Sequence, residues 1–531
     1  AGPQAATDTD IVAYRGGRGA YSVTINGDGS FTVKDMRQGT AATDGTDTIK
    51  GFEQLAFDSQ IAGPALTIGP DRVGMDTFFR TLPPVAVSDG TPRPWGLDDT
   101  AAFAVNTDAS GAVALATGPQ TAPSAVGLLG GFAFAWQSAD AVLVKAYDTL
   151  GRPDAAFGGG VGGARVFTLT DGAGSVTGPV AAMAGETGVV AVWEESFAGS
   201  ATAIKGRFVS AVAGLVGNGE FQVKQAPAGV AQSDAAVAGY EVVDAANDTA
   251  EYGFLVGYTQ GAGADGVGRV LLDRQTLYVR SIDGFDVGVA GERAPASVGL
   301  DGFVGVGSPD DGGAYELSAA GRNASLSTLH DGEVVASWIE GGTVKVKILV
   351  PAFNAATGIT AFDAGRPVTD AATGIDAGTE QQVVGLGFNF AVAYMQGGVF
   401  KAQLYTGSGG AWTRSDVVSF GAMPAGTIGD VSLVATDLDG TAFTMFVEAV
   451  VGGVTTVHGQ HFDGVGHKVG QPFVAFQAPV SLAGGGAGGF SAAPLDDGRI
   501  VIAAEGQPGP GSDASGIVGA LLDTRTPGEP I

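Results

Sequence analysis

Gly131-Phe132-Ala133-Phe134-Ala135-Trp136 is a short apolar stretch that ends in an aromatic residue, and similar stretches recur along the chain. They recur at intervals of roughly 50 residues or more, which is the length of a unit of a few short strands. Runs of this length that are rich in Val, Ala and aromatic residues indicate β-strands. The further copies occupy residues 189–193, 254–258, 334–338, 390–394, 443–446 and 500–504.

Each copy is expected to open a repeated unit that continues through a turn into a second strand. Asp-Gly turns precede several copies, as at Asp331-Gly332 and Asp497-Gly498. Units of four short strands at this spacing are typical of β-propeller blades, because one small sheet cannot bury both of its faces alone. The third unit is over-long, so it either holds an insertion or hides another blade. A long array of β-sandwiches is the competing architecture, but its units usually run nearer about 100 residues.

The sequence therefore predicts an all-β fold in which a β-propeller of about seven blades occupies residues 101–531. The aromatic residues of the recurring stretches are expected to pack between blades rather than to bind a ligand. These residues are Trp136, Trp193, Tyr258, Trp338, Tyr394 and Phe446.

A small N-terminal β module is predicted in residues 1–60, ahead of the propeller. Its strands Tyr21-Ser22-Val23-Thr24-Ile25 and Phe31-Thr32-Val33 flank the turn Asn26-Gly27-Asp28-Gly29, which is a hairpin signal. Residues 61–100 contain six prolines and are predicted to connect the two parts.

Composition restricts the function classes. The 531 residues carry a formal charge of −28, and no basic stripe is visible, so nucleic acid and anionic membranes are improbable partners. No apolar run reaches the roughly 18 residues that a membrane-spanning helix needs, so membrane insertion is not expected. Cysteine is absent, which excludes disulfides, thiolate metal sites and cysteine nucleophiles. Because the chain begins Ala-Gly-Pro-Gln, it is expected to be covalently part of a larger parent protein.

Catalytic motifs find no support in the sequence. Three GxGxxG spacings occur, which is what chance gives for a chain with 89 glycines, and no βαβ context surrounds them. Neither an HExxH nor a GxSxG motif is present, and the pair His458 and His461 is expected to point to opposite faces of a strand. Paired carboxylates for glycoside cleavage stay open, but nothing singles out a pair among 55 acidic residues. The chain is therefore predicted not to be an enzyme.

Calcium is the best-supported ligand, because clusters of side-chain oxygens in turns suit a hard cation. The segment Asn106-Thr107-Asp108-Ala109-Ser110-Gly111 has oxygens at alternate positions and a glycine at the bend, but lacks a distal Glu. Weaker candidates are Asp437 with Asp439, and Asp44 with Asp47. Plain β-turns are the alternative explanation for all of these segments.

Residues 21–58 resemble a segment of bacterial haemolysin-type (RTX) secreted proteins. The resemblance rests on the turn Asp44-Gly45-Thr46-Asp47, on Glu53, and on the strand Leu55-Ala56-Phe57; Phe52 stands where the family usually has Ile. The repeated units also resemble propeller-type segments of long proteins in this family, some of which carry an animal-type haem peroxidase region. The glycine-rich calcium-binding nonapeptides of the family are missing here, and no segment aligns with a haem peroxidase.

The resemblance implies type I export, an extracellular location in calcium, and a longer parent chain. The first functional hypothesis is a non-catalytic, calcium-stabilised propeller module with a structural, adhesive or interaction role towards an unknown protein or glycan surface. The second is an accessory propeller of a haemolysin-type peroxidase. The third is a glycan-active propeller enzyme, which predicts that carboxylates converge at one mouth of the propeller.

Overall fold

A computed structural model gives the structure of the chain, with 39 strands and no helix among the residues it describes. No helix in this part of the chain is long and apolar enough to cross a membrane. The described residues are 11–14, 21–25, 31–35, 46–49, 54–57, 60–62, 65–67, 71–74, 96–97, 103–105, 120–128, 131–149, 151–155, 157–158, 166–172, 174–184, 188–211, 214–215, 220–223, 227–244, 249–261, 267–281, 315–329, 332–354, 359–363, 369–376, 380–408, 411–421, 426–436, 442–451, 454–479, 489–495, 498–506 and 516–523.

The first eight strands form three small sheets. They are β1 (Ile11–Ala13), β2 (Tyr21–Ile25), β3 (Phe31–Asp35), β4 (Thr46–Ile49), β5 (Gln54–Phe57), β6 (Gln60–Ala62), β7 (Ala65–Thr67) and β8 (Asp71–Gly74). β2 and β3 pair antiparallel with Val23 opposite Val33, which confirms the predicted hairpin. β4 extends that sheet, β1 and β8 flank β5, and β6 pairs with β7.

The remaining strands form larger antiparallel sheets, and each repeated unit contributes a group of consecutive strands. Ahead of the units lie β9 (Gly96–Leu97) and β10 (Phe103–Ala104). The first two units are β11 (Gln120–Leu128), β12 (Gly131–Ser138), β13 (Ala141–Asp148), β14 (Val166–Thr168), and β15 (Ser175–Ala184), β16 (Gly188–Ser196), β17 (Ala203–Ser210), β18 (Gly214–Leu215), β19 (Phe221–Gln222). The third and fourth units are β20 (Gln232–Asp244), β21 (Thr249–Gln260), β22 (Gly268–Ser281), and β23 (Tyr315–Thr328), β24 (Val334–Glu340), β25 (Thr343–Asn354), β26 (Ile359–Asp363), β27 (Thr369–Thr373).

The last three units complete the chain. They are β28 (Gln381–Leu386), β29 (Asn389–Gln396), β30 (Val399–Ser408), β31 (Ala411–Arg414), β32 (Val418–Ser419); β33 (Thr427–Ala435), β34 (Phe443–Val451), β35 (Val454–Phe462), β36 (Lys468–Pro479); and β37 (Phe490–Pro494), β38 (Ile500–Glu505), β39 (Ile517–Asp523). β23 pairs with β22 through its first half and with β24 through its second, so the third and fourth units share one sheet. The extra length of the third unit, residues 282–314, lies outside the described residues.

The recurring apolar stretches are second strands, which corrects the prediction that they open their units. All seven fall in β12, β16, β21, β24, β29, β34 and β38, and each is preceded in its sheet by another strand. These preceding strands, β11, β15, β20, β23, β28, β33 and β37, are called the first strands below. They escaped prediction because they are rich in Ser, Gly and Ala and often interrupted by a β-bulge, as between Thr121 and Ser124 in β11.

Neighbouring units pack through their first strands. β11 contacts β15, and the series continues through β20, β23, β28 and β33 to β37, which in turn contacts β11. Side chains of one first strand bond the main chain of the next. Ser124 Oγ accepts from the Ala181 amide, and Ser491 Oγ accepts from the Ala125 amide, both at 3.0 Å. The arrangement of antiparallel sheets is therefore propeller-like.

Glycines allow this close approach at three junctions. A Cβ at Gly127 would overlap the main-chain oxygen of Pro494 in the last unit, and Gly239 and Gly385 meet Met183 and Thr328 in the same way. A cavity of about 560 Å³ lies between the seven first strands, and residues from all seven line it. Most of these lining residues are small or apolar, as expected where seven backbones converge.

The aromatic residues of the recurring stretches are all buried. Trp193 and Tyr394 each pack in a cluster that includes residues of the preceding unit. Phe446 differs, because it packs towards the following unit, while Val447 takes the position that faces the preceding one.

The last sheet receives strands from both ends of the propeller-like region. β10 pairs antiparallel with β39, so that Phe103 lies opposite Gly519, and β9 pairs with the same strand. Part of the proline-rich segment predicted as a connection thus adds to this sheet.

Substitution Gly127→Ala tests the contact between the last and first units. We expect it to lower the free energy of unfolding by about 1–3 kcal/mol, because the added methyl group must displace the main chain at Pro494. Gly489→Ala is the matched control, since its Cβ would meet only ordinary contacts at 3.7 Å or more. Chemical denaturation of both variants measures the difference, and equal stabilities would contradict the contact.

Candidate carboxylate site

The predicted calcium ligands are placed only in part. Asp47 lies exposed in β4, opposite Val33, and no metal-ligating group forms around it among the described residues. The other candidates lie outside the described residues and stay predictions. They are Asn106, Asp108, Ser110, Asp437, Asp439 and Asp44.

Six carboxylates instead converge where the first strands begin. Three lie at these starts: Asp234 in β20, Asp430 in β33, and Glu380 directly before β28. The other three lie at or near the ends of second strands, which run antiparallel and finish beside those starts: Glu194, Glu448 and Glu505. We call this set the carboxylate mouth. It occupies the opposite end of the first strands from the residues that line the cavity.

Two of these glutamates tie one unit to the next. Glu505 Oε1 accepts from the amide of Ala122 at 2.8 Å, and Glu194 Oε1 accepts from the amide of Asp234 at 2.9 Å. Both amides belong to bulge residues with positive φ, 49° at Ala122 and 54° at Asp234. The left-handed backbone points the amide out of its own ladder, and the glutamate of the preceding unit satisfies it.

Glu448 lacks this kind of partner. Its side chain has no exposed surface (0%), and among the described residues neither carboxyl oxygen makes a hydrogen bond of good geometry, although the Asp430 amide lies near enough to lower the pKa of the group. Burial, and then the nearby charge of Asp430, raise the pKa of Glu448 to about 8. The Asp430 amide lowers this pKa, and the charge of Glu505 raises it. Glu448 is thus mostly protonated at neutral pH.

Glu380 is the accessible member of the set. The residue is exposed, but the protein around it partly removes water from its carboxyl group. This desolvation raises the pKa of Glu380 to about 7, and the charges of Asp430 and Asp234 add to the rise. Burial also raises the pKa values of Glu194, Asp430 and Glu505, although amide hydrogen bonds oppose the rise at the two glutamates. No ion pair in the described part of the chain neutralises this mouth.

A second acidic cluster lies in the second unit. Ligand atoms of Asp171, Glu195 and Glu220 lie within 4.8 Å of one another, so three oxygens could meet one metal ion. Lys205 already places its Nζ 2.9 Å from Glu195 and 2.7 Å from Glu220. The ammonium group takes the position that a cation would need, and the cluster is best explained as a partly buried ion-pair network.

The carboxylate mouth escaped prediction because its members come from six separate segments. One signal was available: Glu194 directly follows Trp193, and Glu448 and Glu505 hold the same place after Val447 and Ala504. Extended by one residue, the recurring stretches 189–193 and 500–504 end in an acid, and the stretch 443–446 reaches Glu448 after two residues. Of the two closely spaced histidines, His461 is buried, and its Nδ1 forms a hydrogen bond of 2.5 Å with Thr444 Oγ1.

Comparisons with known proteins give structural likenesses at low sequence identity. No family model matches it, and no curated protein matches it. An ulvan lyase, described as a new family of polysaccharide lyase, is 11% identical with a TM-score of 0.39, over 83% of this chain and 97% of that one. A Dyadobacter fermentans protein of unknown function is 11% identical with a TM-score of 0.35, over 81% and 100%. The Dos1 propeller is 9% identical with a TM-score of 0.32, over 83% and 98%. At TM-scores below 0.5, these likenesses carry no functional argument.

The raised pKa values predict that stability falls as pH rises. A carboxyl group with a folded pKa above its unfolded value stabilises the fold when protonated, and this contribution is lost between the unfolded pKa near 4.5 and the folded value. We expect a lower melting temperature at about pH 8.5 than at about pH 5.5. Glu448→Gln should remove most of this decrease, and Glu380→Gln should remove a smaller part.

Asp376→Asn is the control, because the amides of Gly398 and Gly397 lower the pKa of Asp376 and keep it ionised throughout this range. It should leave the decrease unchanged. A melting temperature that is constant over this range in the wild type would contradict the placement of Glu448.

Proposed function

We propose that the chain is a closed, seven-bladed β-propeller that acts as a non-catalytic binding module. The contact of β37 with β11 supports closure, because it joins the last unit to the first. The cavity lined by all seven first strands supports it as well. In this architecture β9 and β10 complete the last blade from the N-terminal side, and the carboxylate mouth lies at one end of the central channel.

The ligand of this module is a positively charged group of a partner, for which a lysine-rich protein segment is the best-fitting chemistry. The observation that carries this proposal is the convergence of six carboxylates without an ion pair from the described residues. Like charges in a concave site focus a negative potential, which favours the approach of a cation. Glu194, Asp234 and Glu380, called the outer carboxylates below, are partly or fully exposed and can reach such a partner.

The extracellular, RTX-type context remains part of the proposal. An acidic, cysteine-free module with a rigid ring of sheets suits an interaction or adhesive role in a longer secreted parent. The mouth offers recognition by charge, which is effective for rapid and specific association.

Binding of a fluorescent peptide of about six lysines tests this function. We expect the variant Glu194→Gln/Asp234→Asn/Glu380→Gln to weaken binding by at least about tenfold, since three charges are lost from the contact. Added salt should weaken binding by the wild type as well. Fluorescence anisotropy at low and high ionic strength measures both effects.

The control variant Asp47→Asn/Asp140→Asn/Asp416→Asn removes three exposed carboxylates elsewhere, so that the net charge of the two variants is equal. It should bind like the wild type. Equal weakening in both variants would show that only the overall charge matters. Release of new chain ends from a polysaccharide by the wild type would contradict a non-catalytic role.

A further inference from the structure

The cavity between the first strands has one charged residue among its described lining residues, Glu241 in β20. Most of the other lining residues are apolar or small, such as Val237, Leu326 and Pro494. Its volume of about 560 Å³ falls within the range of sites that hold small molecules. The cavity thus offers an apolar surface with a carboxylate at one side.

Glu241 and Tyr252 form a polar pair in this cavity. They lie directly opposite each other in β20 and β21, so both side chains stand on the same face of the sheet. The Tyr252 hydroxyl donates to Glu241 Oε1 at 2.5 Å. Because Tyr252 is buried and Glu241 is exposed, packing holds the phenol in place while the carboxylate stays within reach of a ligand.

Met183 of the second unit continues the wall beside this pair. Its side chain is 41% exposed, and the residue lines the same cavity. A Cβ at Gly239, two residues before Glu241, would overlap the main-chain oxygen of Met183. Residues two apart on a strand share a face, so Glu241 lies on the face of β20 that meets β15. The flexible thioether is an adaptable apolar contact next to the carboxylate.

We propose that this cavity binds a small organic cation, a primary amine with an apolar body, whose ammonium group lies at Glu241. A carboxylate has two oxygens with about four lone-pair sites, so Glu241 can accept from Tyr252 and from an ammonium group at once. The phenol oxygen of Tyr252 is a second acceptor. Charge-assisted hydrogen bonds of this kind are strong, and the apolar lining provides contact for the body of the ligand.

The charge of the site selects against other small molecules. An anion would be repelled by Glu241 and by a chain with a formal charge of −28. A neutral apolar molecule would remove water from the carboxylate and supply no hydrogen bond in return. An amine avoids both penalties.

This site is separate from the carboxylate mouth and goes beyond the proposed function. The lining residues of the cavity lie at the opposite end of the first strands from the mouth. Small amine and lysine-rich segment therefore do not compete, and each site is tested by its own ligand.

Isothermal calorimetry of the full chain with phenylbutylammonium tests the site. We expect one bound molecule per chain. Two probes with the same apolar body separate charge from apolar contact. The neutral phenylbutanol should bind at least about tenfold more weakly, because it lacks the charge-assisted hydrogen bond, and the anionic phenylbutyrate should not bind.

Glu241→Gln removes the charge but keeps an oxygen that accepts from Tyr252. We expect it to lose at least about tenfold in affinity for phenylbutylammonium and to keep its affinity for phenylbutanol. Asp416→Asn is the matched control, because it removes one exposed carboxylate outside the described lining of the cavity. It should bind the amine like the wild type. Tyr252→Phe gives a second test if Glu241→Gln fails to fold, and it should weaken amine binding more than alcohol binding.

Three results would overturn the proposal: a wild type that does not bind phenylbutylammonium, equal affinities for the amine and the alcohol, or a Glu241→Gln variant with wild-type affinity. A loss in Asp416→Asn as large as that in Glu241→Gln would also overturn it, since only the overall charge would then matter.

The two proposals fail separately. The triple variant of the outer carboxylates should bind the amine like the wild type, and loss of amine binding in it would move the amine to the carboxylate mouth and reject the cavity site. Binding of the lysine peptide without any binding of the amine would reject the cavity site and leave the proposed function standing.

Discussion

Main-chain contact between neighbouring first strands is the constraint on which the rest of the structure depends. Strands that approach this closely leave no room for a side chain at the contact point, so Gly127 and Gly385 meet carbonyl oxygens directly. Serines at nearby positions use their short side chains to bond the next strand, as Ser327 does with the Gly385 amide at 2.8 Å. The first strands are therefore rich in small residues, and the hydrophobic core lies between neighbouring units, where second and third strands supply most of its residues.

This constraint also creates the carboxylate mouth. The starts of the first strands converge, and every second strand ends beside such a start, so acids from distant parts of the sequence face one another. Burial, and then repulsion between the carboxylates, raise their pKa values, as at Glu380 and Glu448. Carboxyl groups with raised pKa values that lie close together reduce the stability of the fold and are typical of binding sites. A cationic ligand would convert the unfavourable interaction into a favourable one.

The sequence predicted those parts of the fold that rest on strong local patterns. The second strands combine long apolar runs with a buried aromatic residue, so stretches such as 189–193 were recognised and Trp193 packs as expected. The first strands could not be recognised, because Gln120–Leu128 carries polar and small residues and a bulge. Phe446 also packs between two units as predicted, but against the following unit, since a strand reverses its faces with a shift of one residue. The mouth could not be predicted because strand convergence, and not spacing in the sequence, brings its members together.

The junction between the last and first units is the central claim of this account, and a disulfide across it is the most direct test. The chain has no native cysteine, so the double variant Ala125→Cys/Ser491→Cys reports this one contact. The account predicts that oxidation forms an intramolecular disulfide, because the hydrogen bond between these residues brings their backbones within the range of about 7 Å that a disulfide needs. Free thiols after oxidation, or disulfides only between molecules, would contradict this contact and the proposed closed ring.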